Sequence, residues 1–198
     1  MEVKTAIRQR RSIRRFSAKP VAFEVLLELV ELARFYASGG NLQPIRFSIL
    51  SAQPFKDQLF HLLNWAAYLP EFYIPAEEQP PVYIILLWDT SVGQGCSFDV
   101  GAAATTLMLA AQERGLATCC VGNFSKSRLL ALLSVPKKYS PELVIAIGYP
   151  AQTSTATNLT DSVRYSEDNR GNMLVPKYGV KDVLLELPPT PHSLQHGG

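Results

Sequence analysis

Arg10-Arg11-Ser12-Ile13-Arg14, followed by Arg15 and Phe16, concentrates positive charge more than any other stretch of the chain. Five of the eleven arginines lie between Arg8 and Arg15. Guanidinium groups take phosphate oxygens two at a time and a serine hydroxyl adds a compact donor, so this string suits a dianionic phosphate monoester. A solvated basic arm, a localisation signal or a nucleic-acid patch uses the same residue types. With a net charge of only +2 over 198 residues, the cluster is a local feature rather than part of a nucleic-acid-binding surface.

A hydrophobic content of 47% is enough for one core-bearing domain. The expectation is a single domain over residues 1–187 and a flexible tail over 188–198. Cys96, Cys119 and Cys120 are odd in number and lack CxxC or zinc spacing, which predicts reduced thiols. Residues 1–15 are polar and basic without an apolar run, and no stretch approaches a membrane span. A cytoplasmic protein with no membrane partner is expected.

Working outward from the arginines, the pattern predicts helices over roughly 3–10 and 22–36, the latter striped by Leu26, Leu29, Val30 and Ala33. Ser38-Gly39-Gly40-Asn41 breaks it. Ile45, Phe47 and Ile49 alternate with polar residues as in a strand, and 55–69 reads as a helix. Val82 to Trp88 is almost wholly apolar, the mark of a central strand covered on both faces. Residues 98–114 form a long Ala- and Leu-rich helix ended by Gly115, expected in the core or at an interface. A strand near 118–121, a helix capped by Ser125 and a strand at 143–147 complete the body. From Ala151 the chain turns to Thr, Ser, Asn, Asp and Gly, with only 180–187 suggesting a helix. Such an extension is either disordered or ordered by wrapping a partner subunit.

Side-chain catalysts are scarce. His61 is the sole histidine away from the C-terminal end, where His192 and His196 sit, and it lies on a helix with no nucleophile signature nearby. There is no HExxH or clustered metal spacing, no Walker A string and no GxGxxG. Anion binding without a nucleophile, base or metal points to an organic cofactor. A flavin carries hydride transfer in its own rings and asks the protein for a phosphate anchor and donors to the ring edge.

The residues now resemble a family. Arg10-Arg11-Ser12-Ile13-Arg14 with Phe16 is similar to the N-terminal FMN signature of the nitroreductase family, R-R-S-x-R. Ala37-Ser38-Gly39-Gly40-Asn41-Leu42-Gln43-Pro44 resembles its P-S-x-x-N-x-Q-P-W loop, with Ala37 for proline and Ile45 for tryptophan. Asp99-Val100-Gly101-Ala102-Ala103-Ala104 through Gly115-Leu116 resembles its dimer-interface helix, with Thr106 where many members have asparagine. Cys120-Val121-Gly122-Asn123-Phe124, Ile147-Gly148-Tyr149-Pro150, Val163-Arg164-Tyr165 and Val175-Pro176-Lys177 follow in family order.

The resemblance implies an α+β nitroreductase-like fold, with a central mixed, mostly antiparallel sheet flanked by helices in an intertwined homodimer. It implies FMN held by Arg10, Arg11, Ser12 and Arg14 at the phosphate, ribityl chain and pyrimidine edge. Ser38, Gly39, Asn41 and Gln43 would contact flavin bound mainly by the other subunit, and Gly122 and Asn123 would lie near the flavin N5 and O4. Arg164 and Lys177 would return to the phosphate. Taken alone, Gly122 and Asn123 read equally as a strand-end turn, and Arg164 and Lys177 as exposed charges. No protein side chain is expected to be catalytic and no metal is expected. The implied activity is ping-pong hydride transfer from NADH or NADPH through flavin N5 to a small acceptor such as a nitroaromatic or quinone. The alternatives are a non-catalytic FMN-binding protein, a specialised dehydrogenase, deiodinase or flavin-cleaving member, and a nucleic-acid module.

Overall fold

In a computed structural model describing residues 1–93 and 97–185, β2 (Val82–Asp89) is the organising element, and all eight of its residues are buried. Alternate side chains of a strand point to opposite faces. Val82, Ile84, Leu86 and Trp88 therefore join one apolar cluster, with Leu26, Leu29, Ala104 and Leu107, while Tyr83, Ile85 and Leu87 join another, with Phe16, Leu59, Leu63 and Leu129. Each fully buried aliphatic or aromatic side chain contributes about 1.5–3 kcal/mol. A β-branched and aromatic run without a polar break, as expected from the sequence, makes a strand that needs cover on both sides.

That cover comes from two helix pairs. The helices α2 (Phe23–Ala33) and α4 (Ser97–Glu113) pack together on the Val82 face, beside α1 (Val3–Gln9). On the Tyr83 face lie α3 (Phe55–Leu62) and α5 (Lys126–Leu133). The sheet itself has the order β1-β2-β4-β3, formed by β1 (Ile45–Leu50), β2, β4 (Tyr139–Gly148) and β3 (Ala117–Val121), and every adjacent pair is antiparallel. Ser12 adds a parallel bridge to Thr118 on β3, so the sheet is mixed and mostly antiparallel, as expected.

Two expectations are corrected. The helix foreseen over 55–69 ends at Leu62, because Leu63 turns extended and bridges Phe124. The extension after Ala151, where the sequence suggested only a helix over 180–187, also carries strands. Its β5 (Ser154–Asn158), β6 (Ser166–Glu167) and β7 (Met173–Lys177) make a second sheet of order β5-β7-β6, followed by a short α6 (Val180–Val183). β5 is Ser- and Thr-rich, β6 has two residues and β7 is interrupted by Pro176, so none carries enough apolar alternation to be read locally. The chain divides into two compact units, Met1–Ser154 and the part from Thr155 onward. The expected tail over 188–198, with His192 and His196, lies outside the described residues, as do Cys96 and the last two residues of the helix foreseen over 180–187.

Close packing below the arginine string is enforced by Gly148. A Cβ there would stand 2.7 Å from Pro81 Cδ and 2.9 Å from Phe16 Cδ1, so only glycine lets Phe16 sink fully into the core.

Candidate functional site: an arginine clamp along one sheet edge

The arginine string leaves α1 and runs extended beside β3. The Ile13 amide donates to the Thr118 carbonyl at 3.0 Å, the Phe16 amide to Glu78 at 2.8 Å and the Ser17 amide to Tyr149 at 2.8 Å. The Ala151 amide donates to the Arg15 carbonyl at 3.0 Å, and the Arg14 amide to Oε1 of the buried Gln152 at 3.2 Å. With Ile13 and Phe16 facing inward, Arg10, Arg11, Ser12, Arg14 and Arg15 sit half-buried. The backbone of the clamp is thus fixed by the fold rather than by the arginines.

The side chains leave a charge problem. Arg11 donates from Nη1 to the Arg10 carbonyl at 2.5 Å, but its Nε is buried with no acceptor. Burial, and then repulsion from Arg10, lowers the Arg11 pKa below the usual guanidinium value. A buried unpaired cationic donor is costly, and an anion placed between the two guanidinium groups removes that cost. Arg10 Nη1 also lies 4.0 Å from Met108 Sδ on α4, against which Cys120 Sγ packs at 3.4 Å.

Burial pushes the Cys119 thiol up, with Arg14 offsetting part of the rise, and Cys120 up to about 12, with Arg10 opposing. Both therefore remain neutral thiols, consistent with apolar packing rather than reactivity. His61 is exposed on α3, edge-on to Phe60 at 5.4 Å. Among the described residues no cluster of potential metal ligands occurs, and no helix is long and apolar enough to cross a membrane.

Gly122 and Asn123 follow β3 directly, so they share an edge with the clamp. Because Ser12 pairs with Thr118, Gly122 stands about 13 Å farther along the strand. The structure therefore brings Arg10, Arg11, Ser12, Arg14, Gly122 and Asn123 onto one edge. Asn123 is pinned by Asn64, whose amide and side-chain nitrogen both reach the Asn123 carbonyl at 3.1 Å. Nothing in the sequence around Asn64 singles it out.

Ser38, Gly39, Asn41 and Gln43 are elsewhere. They form the turn before β1, at the same end of the sheet as Gly122 but at its opposite edge. Three strand spacings, about 14 Å, separate β1 from β3. The turn is locally built: Ser38 Oγ accepts from the Gln43 amide at 2.9 Å, and Gln43 Nε2 donates to Asn41 Oδ1 at 3.0 Å. Gly40, Asn41 and Gln43 all have positive φ. A cavity of about 480 Å³ beside it is lined by Gln43 together with Arg34, Tyr36, Leu42 and Arg46. Arg46 donates to the Gln43 carbonyl at 2.7 Å and lies 3.4 Å from the buried Asp89 carboxylate, which Lys138 and Ser91 also hold. Arg164 and Lys177 belong to the second unit and are exposed there.

Of the family departures, Ile45 is buried at the start of β1 with its amide on Tyr36 Oη at 3.3 Å. The Thr106 hydroxyl is used within α4, donating to the Ala102 carbonyl at 2.9 Å.

A helix-flanked, mostly antiparallel sheet with an arginine-rich segment along one edge places the chain among α+β proteins. The chain belongs to the nitroreductase family, whose model matches residues 7–149. It is 26% identical over 171 residues to an NADH dehydrogenase/NAD(P)H nitroreductase-like protein of Methanothermobacter thermautotrophicus, covering 83% of this chain and 85% of that one. It is 25% identical over 199 residues to 4-nitrobenzoate reductase of Pseudomonas putida, covering 77% and 87%. A nitroreductase-like protein from Desulfovibrio desulfuricans, solved in complex with FMN, superposes with a TM-score of 0.71 at 26% identity over 96% of this chain and 99% of that one. The α+β fold and the family expected from the motifs are those found.

Proposed function

We propose that the protein is an FMN-dependent NAD(P)H oxidoreductase acting as a homodimer in the cytoplasm, on a small acceptor such as a nitroaromatic or quinone. The observation that carries this reading is the buried Arg11 Nε without an acceptor, beside a second guanidinium, on a segment whose backbone the fold has already fixed. This arrangement fits a phosphate monoester of the kind FMN carries. Arg10, Arg11, Ser12 and Arg14 would hold the phosphate and ribityl oxygens, and Gly122 and Asn123, about 13 Å along the strand, would lend amides to the ring. When bound, FMN supplies reversible hydride acceptance from a reduced nicotinamide and delivery to the acceptor. The protein contributes orientation, a fixed electrostatic field and exclusion of water, with no side chain required as acid or base.

The strand order supports the dimer. Ser38, Gly39, Asn41 and Gln43 sit across the sheet from their own clamp, so a second copy is the simplest way to bring such a turn to a flavin. The visible spectrum of FMN-supplemented protein, taken before and after anaerobic NADH and then NADPH, tests the proposal. Bleaching by either donor supports it; bound flavin that no donor bleaches leaves a binding protein, and absence of flavin binding overturns the clamp.

A further inference from the structure

The segment between α3 and β2 carries aromatics in an irregular backbone, including Trp65, Tyr68, Phe72 and Tyr73, the last 70% exposed. Loops of this length are costly to order and are normally held only by local turns. This one is tied at both ends to the candidate site. Its start is fixed where Asn64 binds Asn123 through backbone and side chain. Its end is fixed by Arg15, the residue after the last clamp arginine. Arg15 Nη2 donates to the Tyr73 carbonyl at 3.3 Å, its Nε lies 3.6 Å from Glu78 Oε2, and its guanidinium carbon stands 4.9 Å from the Phe72 ring centre. The Phe16 amide adds a backbone bond to Glu78.

We propose that Arg15 is a positioning residue that couples the clamp to the aromatic segment, setting where Phe72 and Tyr73 stand and so which planar acceptors the site admits. The inference rests on the oxidoreductase reading of the site. A guanidinium suits the task because one planar group meets a carbonyl, a carboxylate and a ring face at once, which an ammonium does not do. Arg15 points away from the clamp pair, toward Tyr73 and Glu78, so it serves the acceptor side while Arg10, Arg11 and Arg14 serve the phosphate.

The test compares wild type, Arg15→Ala and Arg15→Lys as full-length, FMN-loaded protein. In the first arm, chymotrypsin nicking after Phe72 and Tyr73 is followed with time. Arg15→Ala is expected to nick about tenfold faster, and Arg15→Lys, which keeps only the Glu78 pairing, at an intermediate rate. In the second arm, KM for 4-nitrobenzoate rises about tenfold in Arg15→Ala with kcat within twofold, while FMN occupancy and the rate with ferricyanide, which needs no stacking, are unchanged. Equal nicking in all three proteins, or a parallel loss with ferricyanide, overturns the coupling. If wild type takes up no FMN, the oxidoreductase reading fails by itself, and nicking of the flavin-free proteins still decides whether Arg15 orders the segment.

Discussion

The arginine clamp and the Ser38–Gln43 turn both resemble family motifs, yet the fold treats them in opposite ways. The clamp is held by backbone hydrogen bonds to Thr118, Glu78, Tyr149 and Ala151, with Phe16 buried beneath it. The turn is exposed, closed by its own Ser38 and Asn41, and strained by positive φ at Asn41 and Gln43. One motif is preorganised by the chain that carries it. The other is closed by its own side chains at the far sheet edge. Strain of this kind persists where surrounding structure holds it and often marks a working contact.

The largest effect separating the two is expected from Arg10→Ala/Arg14→Ala. Losing two charge-assisted contacts of about 1.5–3 kcal/mol each raises the FMN Kd by at least about 100-fold, read by flavin fluorescence titration. Retention at wild-type affinity would refute the clamp. Next comes Gly148→Ala, which drives a methyl into Phe16 and Pro81. Overpacking of about 1–3 kcal/mol lowers Tm by roughly 2–12 °C and loosens the clamp, while the turn keeps its proteolytic resistance.

In the turn, Asn41→Ala and Gln43→Ala each remove a neutral hydrogen bond at most, so FMN Kd rises only about 2–10-fold. Light scattering should report a dimer, and an FMN-loaded monomer insensitive to either substitution would break the comparison. The turn is also the more acid-sensitive partner, because Arg46 links it to Asp89. The bond from Ser91, followed by Lys138, holds the Asp89 carboxyl below its ordinary pKa. A carboxyl depressed in the folded state adds stability above its unfolded pKa, about 3.9, and that contribution disappears as pH falls through the lower folded value. Thermal melts between pH 7 and pH 2.5 should show a drop beginning near pH 4 that Asp89→Asn flattens. The smallest effect belongs to Tyr83 beneath the clamp, whose buried hydroxyl has no partner and whose pKa burial raises. Tyr83→Phe should leave stability within about 1 kcal/mol of wild type or improve it, since no hydrogen bond is lost.

The legible parts of the molecule were those whose physics is local. β2 announces itself because eight consecutive residues need burial, and α4 because an Ala- and Leu-rich run stops at Gly115, which indeed has φ of 69°. Ser125 caps α5 as its position suggested, accepting from the Arg128 amide. The clamp was visible because its chemistry is contiguous. Asn64 and the Arg15–Glu78 pair were not, since each becomes meaningful only when a remote segment arrives beside it. The same holds for the early end of α3, where Leu63 gives up helix to bridge Phe124. The second sheet escaped notice because β6 has two residues and β5 alternates small polar side chains.

The bond from the Arg14 amide to Gln152 spans 138 residues. During synthesis the arginines therefore emerge long before the strand ends that seat them, and contacts so distant in sequence close late in folding. The highest local density of positive charge on the chain is exposed through most of its assembly. In a nascent or partly folded molecule the basic arm consequently lacks its Gln152 and Ala151 seat, which forms only once β4 and its following turn are complete.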